Sequence, residues 1–143
     1  MHPSGKYAYV SDVANGIRAF SINGVGALAE IAGSPFAAGN EPFGVSIDPT
    51  GRLLYTANFV GNNVSGFSID ANTGKLLAVP ASPFAAGIGY QNAVVDTFGL
   101  YLYVSNPGDN TVRAYSIKQD GSLTAVSGSP FAATGALDVM TIP

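Results

Sequence analysis

The sequence predicts an all-β protein made of β-propeller blades, and three observations predict it. The block "SPFAAG" at Ser34–Gly39 returns at Ser82–Gly87 and again as "SPFAAT" at Ser129–Thr134, a period of about 47 residues. Two more blocks recur in phase. "GKYAYVSD" (Gly5–Asp12) matches "GRLLYTAN" (Gly51–Asn58) and "GLYLYVSN" (Gly99–Asn106), and "RAFSIN" (Arg18–Asn23) matches "SGFSID" (Ser65–Asp70) and "RAYSIK" (Arg113–Lys118). Turn-forming Gly, Pro, Asn and Asp punctuate every unit, and no segment carries helical periodicity. Four short antiparallel strands per unit of this length is the pattern of a propeller blade; a solenoid of equal strands is the weaker alternative.

The elements follow in order along the second unit. "PFGVSID" (Pro42–Asp48) is a short apolar strand ending in "DPTG", with Pro and Gly at turn positions. "RLLYTANF" is rich in strand formers and runs into the turn cluster "VGNN". "VSGFSID" alternates only in part, and "ANTG" closes a hairpin. "KLLAVPASPF" carries Pro80, which a central strand resists, so it is an outer edge strand. The hexapeptide then ends that strand and swings the chain back toward the axis, with Phe36, Phe84 and Phe131 plugging the gaps between blades. Residues 1–143 thus read as a single three-blade unit, with repeats of approximately 2–48, 48–96 and 96–143.

Composition removes several function classes. Charged residues are 10% of the chain, with six Lys/Arg against nine Asp/Glu, so no basic stripe exists for nucleic acid or anionic lipid. No apolar run reaches the length of a membrane-spanning helix, and "MHPSGKYAYV" lacks the plan of a signal peptide. The expectation is a soluble chain whose compartment stays open. Without cysteine there are no disulfides, thiolate metal sites or thiol nucleophiles, and no cofactor is expected.

"YVSD", "YTAN" and "YVSN" resemble the YVTN-type repeat, and the whole pattern, above all "DPTGRLLYTAN" (Asp48–Asn58), resembles the lactonase-like propellers related to 6-phosphogluconolactonase. The resemblance implies a closed toroid, typically of seven blades, and an activity on lactones. It also implies a Pro-His pair near the channel mouth in members with lactonase-type activity. Here that pair is Pro42-Phe43, and Gln91 and Asp138 are the equivalents of Phe43.

The repeat register has a consequence at the ends. "HPSG" matches the "DPTG" that follows an inner strand, and "ALDVMTIP" (residues 136–143) matches the inner strand itself, with Ile142 equivalent to Ile47 and Val95. The expectation is strand exchange, with Leu137–Ile142 of one chain pairing beside Tyr7–Val10 of another. Closed propellers use about four to eight blades, so a homodimer giving six blades is favoured over a homotrimer giving nine. The same register fits a segment of a longer propeller.

No residue set stands out as catalytic. His2, the only histidine, reads as a solvated end or a turn residue. Asp48 and Asp96, and Asp12, Asn58 and Asn106, recur at equivalent positions; a hard-cation site is conceivable, but side chains bonding their own turns are the stronger reading, and no metal is expected. Tyr9, Tyr55 and Tyr103, and Phe20, Phe67 and Tyr115, read as packing between blades. A ligand site belongs at the channel mouth, where the loops leading into the inner strands converge and supply Asn40, Glu41, Tyr90, Gln91, Asn92 and Asp138. The leading expectation is a non-catalytic scaffold or binding module; the alternative is a lactone hydrolase.

Overall fold

Three antiparallel sheets stand side by side, one per repeat, in a computed structural model that describes residues 1–89 and 92–135. The first blade holds β1 (Tyr7–Asp12), β2 (Gly16–Ile22) and β3 (Leu28–Glu30) in that order. The second holds β4 (Pro42–Ile47), β5 (Leu53–Asn58), β6 (Asn63–Ile69) and β7 (Leu76–Ala78), with β8 (Phe84–Ala85) also paired to β6. The third repeats this with β9 (Asn92–Val95), β10 (Tyr101–Asn106), β11 (Thr111–Ile117), β12 (Leu123–Ala125) and β13 (Phe131–Ala132). Among the described residues the first blade has no counterpart of β4 or β9. The expected exchange strand at 136–143 lies outside the described residues.

The strands keep one register. Tyr9, Tyr55 and Tyr103 sit opposite Ala19, Gly66 and Ala114, small residues that leave room for the ring. A Cβ on Gly66 would come within 2.9 Å of the Tyr55 ring and of Val79. Along each second strand, odd and even positions face opposite neighbouring blades. In the middle blade both neighbours are present, so every residue of β5 is buried, and a clean alternation of apolar and polar residues is absent there.

The outer strand differs from the single edge strand expected. It is split, with β7 pairing Phe67–Ile69 and β8 pairing Asn63–Val64 on the same strand β6. Between them the chain makes a turn through Ala81, whose φ is 63°, and the Ser82-Pro83 peptide is cis, as it is at Ser34-Pro35 and Ser129-Pro130. That excursion leaves an amide of the third strand without a ladder partner, and the serine replaces it. Ser34, Ser82 and Ser129 accept from the N–H of Ala19, Gly66 and Ala114 at 3.0, 3.0 and 3.1 Å. The hexapeptide therefore carries the final pairing of the outer strand before it crosses to the next blade.

The core lies between blades. Tyr7, Tyr9, Ile17 and Ala19 meet Leu54, Phe67, Ile69 and Leu76 across the first interface, with Phe36 and Ile31 against them. Leu53, Tyr55, Ala57, Val64 and Val79 meet Ala93, Val95, Leu102, Val104 and Tyr115 across the second, with Phe84 against them. Phe36 and Phe84 thus occupy the gaps anticipated for them. Phe131, on the outer side of the third blade, is 44% exposed.

Candidate active site at the channel mouth

The loop into β4 is held by the turn between β5 and β6. The Phe59 N–H donates to the Glu41 carbonyl at 2.8 Å, and the Gly61 N–H to the Asn40 carbonyl at 3.2 Å. Pro42 is buried behind them and pairs with Asn58. This clamp holds Glu41 at φ 54°, a left-handed conformation that costs a non-glycine residue about 1 kcal/mol or more, while leaving the side chains of Asn40 and Glu41 exposed. Strain of this kind gathers at sites where the direction of a side chain matters.

In the third blade, Asn92 occupies the corresponding end of β9. Its N–H donates to Ser105 Oγ at 3.3 Å, and its side chain fills the space beside Gly44, where a Cβ would stand 2.9 Å from Asn92 Oδ1. The inner strands are tied further along, where the Val95 N–H donates to Ser46 Oγ at 3.0 Å. Asn40, Glu41 and Asn92 therefore sit at the same end of two neighbouring inner strands. Tyr90, Gln91 and Asp138 lie outside the described residues. Phe43, in place of a histidine, is 52% exposed.

Of its two sequence readings, His2 takes the turn residue. His2 is 8% exposed, not a solvated end: its Nε2–H donates to the Gly51 carbonyl at 2.8 Å and its Nδ1 accepts from the Ser4 N–H at 3.1 Å. It closes its own turn and ties the first blade to the second. A Cβ on Gly51 would lie 2.5 Å from His2 Nε2, so the ring can approach only because that residue is glycine. Asp48 and Asp96 do bond their own turns, accepting from Leu53 N–H and from Leu100 and Tyr101 N–H at 2.7 to 2.8 Å.

Asn58 and Asn106 bond across their own turns, to Asn63 and Thr111, and also reach beyond them. Both are fully buried, and they bracket the incoming connection from the preceding blade. Asn106 Oδ1 accepts from the Gly87 N–H at 2.9 Å, while Asn58 Nδ2 donates to Asn63 Oδ1 and to Ser65 Oγ, which also accepts from the Gly39 N–H. Their counterpart Asp12 faces Arg18 and Asn15, whose hydrogen bonds pull its carboxyl down to about 2. The signal available in the sequence was the pairing of each such Asn with a glycine at the end of the preceding hexapeptide.

An inner strand, two middle strands and a split outer strand, stacked sideways through interblade cores, define this chain as a segment of a β-propeller. It belongs to the lactonase, 7-bladed beta-propeller family, which matches residues 1–87. A 6-phosphogluconolactonase of Formosa agariphila is 36% identical over 77 residues, covering 52% of this chain and 22% of its own length. Among solved structures, a candidate 6-phosphogluconolactonase from Bacteroides uniformis superposes with a TM-score of 0.81 at 22% identity, over 94% of this chain and 39% of its own. The periplasmic gluconolactonase of Pseudomonas aeruginosa gives 0.72 at 21% identity, over 89% and 38%. The chain thus spans about a fifth of the curated relative and about two fifths of these structures. This kinship corrects the expectation of a non-catalytic scaffold: both the family and the relative that matches in sequence are named for lactone hydrolysis.

Proposed function

We propose that this chain supplies three blades of a propeller that hydrolyses sugar lactones, with part of the site on the mouth formed by Asn40, Glu41 and Asn92. The observation that carries the reading is the family match over residues 1–87, which contains the strained Glu41. Glu41 acts as general base: it takes a proton from water as the water oxygen bonds to the lactone carbonyl carbon. The ring C–O bond then breaks and the departing alkoxide takes up that proton, giving the open hydroxy acid. The amides of Asn40 and Asn92 supply N–H donors for the carbonyl oxygen as it gains charge and for sugar hydroxyls.

The test is acid release from 6-phosphogluconolactone and from gluconolactone, measured against spontaneous hydrolysis. Turnover by the chain, reduced about 100-fold or more in Glu41→Gln, is the expected result. Hydrolysis no faster than the spontaneous rate, or turnover indifferent to Glu41→Gln, overturns the assignment.

A further inference from the structure

The ion pairs among the described residues belong to one arginine. Arg18 donates from Nε to Asp12 at 2.9 Å and from Nη1 to Glu30 Oε1 at 3.0 Å, and Ser34 Oγ donates to the same Glu30 oxygen at 2.8 Å. Arg18 stands opposite Val10 in its ladder and Arg113 opposite Val104, so the third blade places an arginine at the same register position. Ser129 likewise repeats Ser34: its Oγ accepts from the Ala114 N–H as that of Ser34 does from the Ala19 N–H. The two carboxylates do not return. Phe20 pairs with Glu30 whereas Tyr115 pairs with Ala125, and Asp12 pairs with Gly16 whereas Asn106 pairs with Thr111.

The third blade thus keeps the two donors of this cluster without its acids. Asn106 is turned to the Gly87 N–H and to the Val104 and Thr111 carbonyls, and Asp109 accepts from Thr111 Oγ1 at 2.7 Å. Arg113 is half-buried, and its Nε is buried with no hydrogen-bond partner among the described residues. Its guanidinium faces the Tyr115 hydroxyl, a neutral group whose own proton goes to the Ala85 carbonyl of the second blade. A buried charged donor without an acceptor is costly, and the planar fork of a guanidinium fits the two oxygens of a carboxylate. The position lies between the second and third blades, and the exposed Ala125 leaves it open to solutes.

We infer that Arg113 and the Ser129 hydroxyl form a binding site for the carboxylate of a small acid, which takes the place that the Glu30 side chain takes in the first blade. One carboxylate oxygen accepts from a guanidinium Nη–H and from Ser129 Oγ–H, as Glu30 Oε1 does from Arg18 and Ser34. The other accepts from the Arg113 Nε–H, which completes a bidentate pair. The site stands apart from lactone turnover: Arg113 is on the third strand of its blade, whereas Asn40, Glu41 and Asn92 sit at the ends of inner strands.

Arginine side-chain NMR tests it. Sodium acetate, titrated against sodium chloride at equal ionic strength, should shift the Arg113 Nε–H resonance saturably. The resonances of Arg18, held by Asp12 and Glu30, and of Arg52, whose Nε donates to Thr50, should stay in place. Arg113→Lys identifies the resonance by its loss. Ala125→Glu, a change at an exposed position, should restore the acid of the first blade within the chain itself. The Arg113 resonance then moves without acetate, and acetate binds about 10-fold or more weaker, because the tethered carboxylate competes at high effective concentration. An acetate response no larger than that of Arg52, one that chloride reproduces, or one that Ala125→Glu leaves unchanged overturns the inference.

Discussion

At the scale of single residues, the repeated hexapeptide works through its first and last letters. Its serine replaces a ladder partner where the outer strand turns away, so Ser82→Ala strands the buried Gly66 N–H and should cost about 1 to 3 kcal/mol in denaturant unfolding. Its glycine passes directly over a buried asparagine: a Cβ on Gly87 would come 2.5 Å from Asn106 Cγ. Gly87→Ala should therefore destabilise the chain by about 1 to 3 kcal/mol, the cost of forcing volume into a packed site. Asn106→Ala alone removes the Oδ1 that accepts from the Gly87 N–H. Neither role was legible from the hexapeptide itself. Each depends on a partner about 16 to 19 residues away whose position becomes clear only once the strands are paired. His2 is a similar case: its burial follows from the approach of Gly51, 49 residues on.

At the scale of the strand, periodicity identified what exists but not where it breaks. The blocks around Tyr9, Tyr55 and Tyr103 read as strands because β-branched and aromatic residues fall between turn clusters, and they are strands. The split of the outer strand was not legible, because a turn through Ala81 followed by renewed pairing at Phe84 looks in sequence like a strand that simply ends. The polar loop residues Asn40, Glu41 and Asn92 could be nominated from repeat phase alone. The clamp that strains Glu41 could not, since it consists of backbone bonds from another turn.

The tyrosine bonds between blades make a prediction about pH. Burial, reinforced by Tyr7 and Asp70, raises the Tyr9 hydroxyl far above its usual range, and burial does the same for Tyr55, with Asp48 and Asp120 adding to it. Both groups stay neutral in the folded chain after the unfolded chain has begun to ionise near pH 10, so above that pH the unfolded state holds fewer protons and stability falls as pH rises. Unfolding followed from pH 8 to 11 should show this loss. Tyr55→Phe should be less stable at pH 8 but should lose less on going to pH 11. An equal alkaline slope in both proteins would contradict the assignment.

At the scale of the whole molecule, the three blades meet in two interblade cores, and Asn40, Glu41 and Asn92 sit at one end of two neighbouring inner strands. The blade architecture was legible because a repeat writes the same structural unit several times, so that chance matches average out. The activity was less so: the absence of the Pro-His pair pointed toward a scaffold, while kinship over residues 1–87 points to lactone hydrolysis. The sequence reading erred because a single motif position was weighed against a site that several blades build together. The most direct measurement is the rate of gluconolactone hydrolysis by the chain and by Glu41→Gln, each against the spontaneous rate. A rate above the spontaneous one that is lost in Glu41→Gln is the predicted result; a folded chain that hydrolyses lactone no faster than buffer would contradict the account.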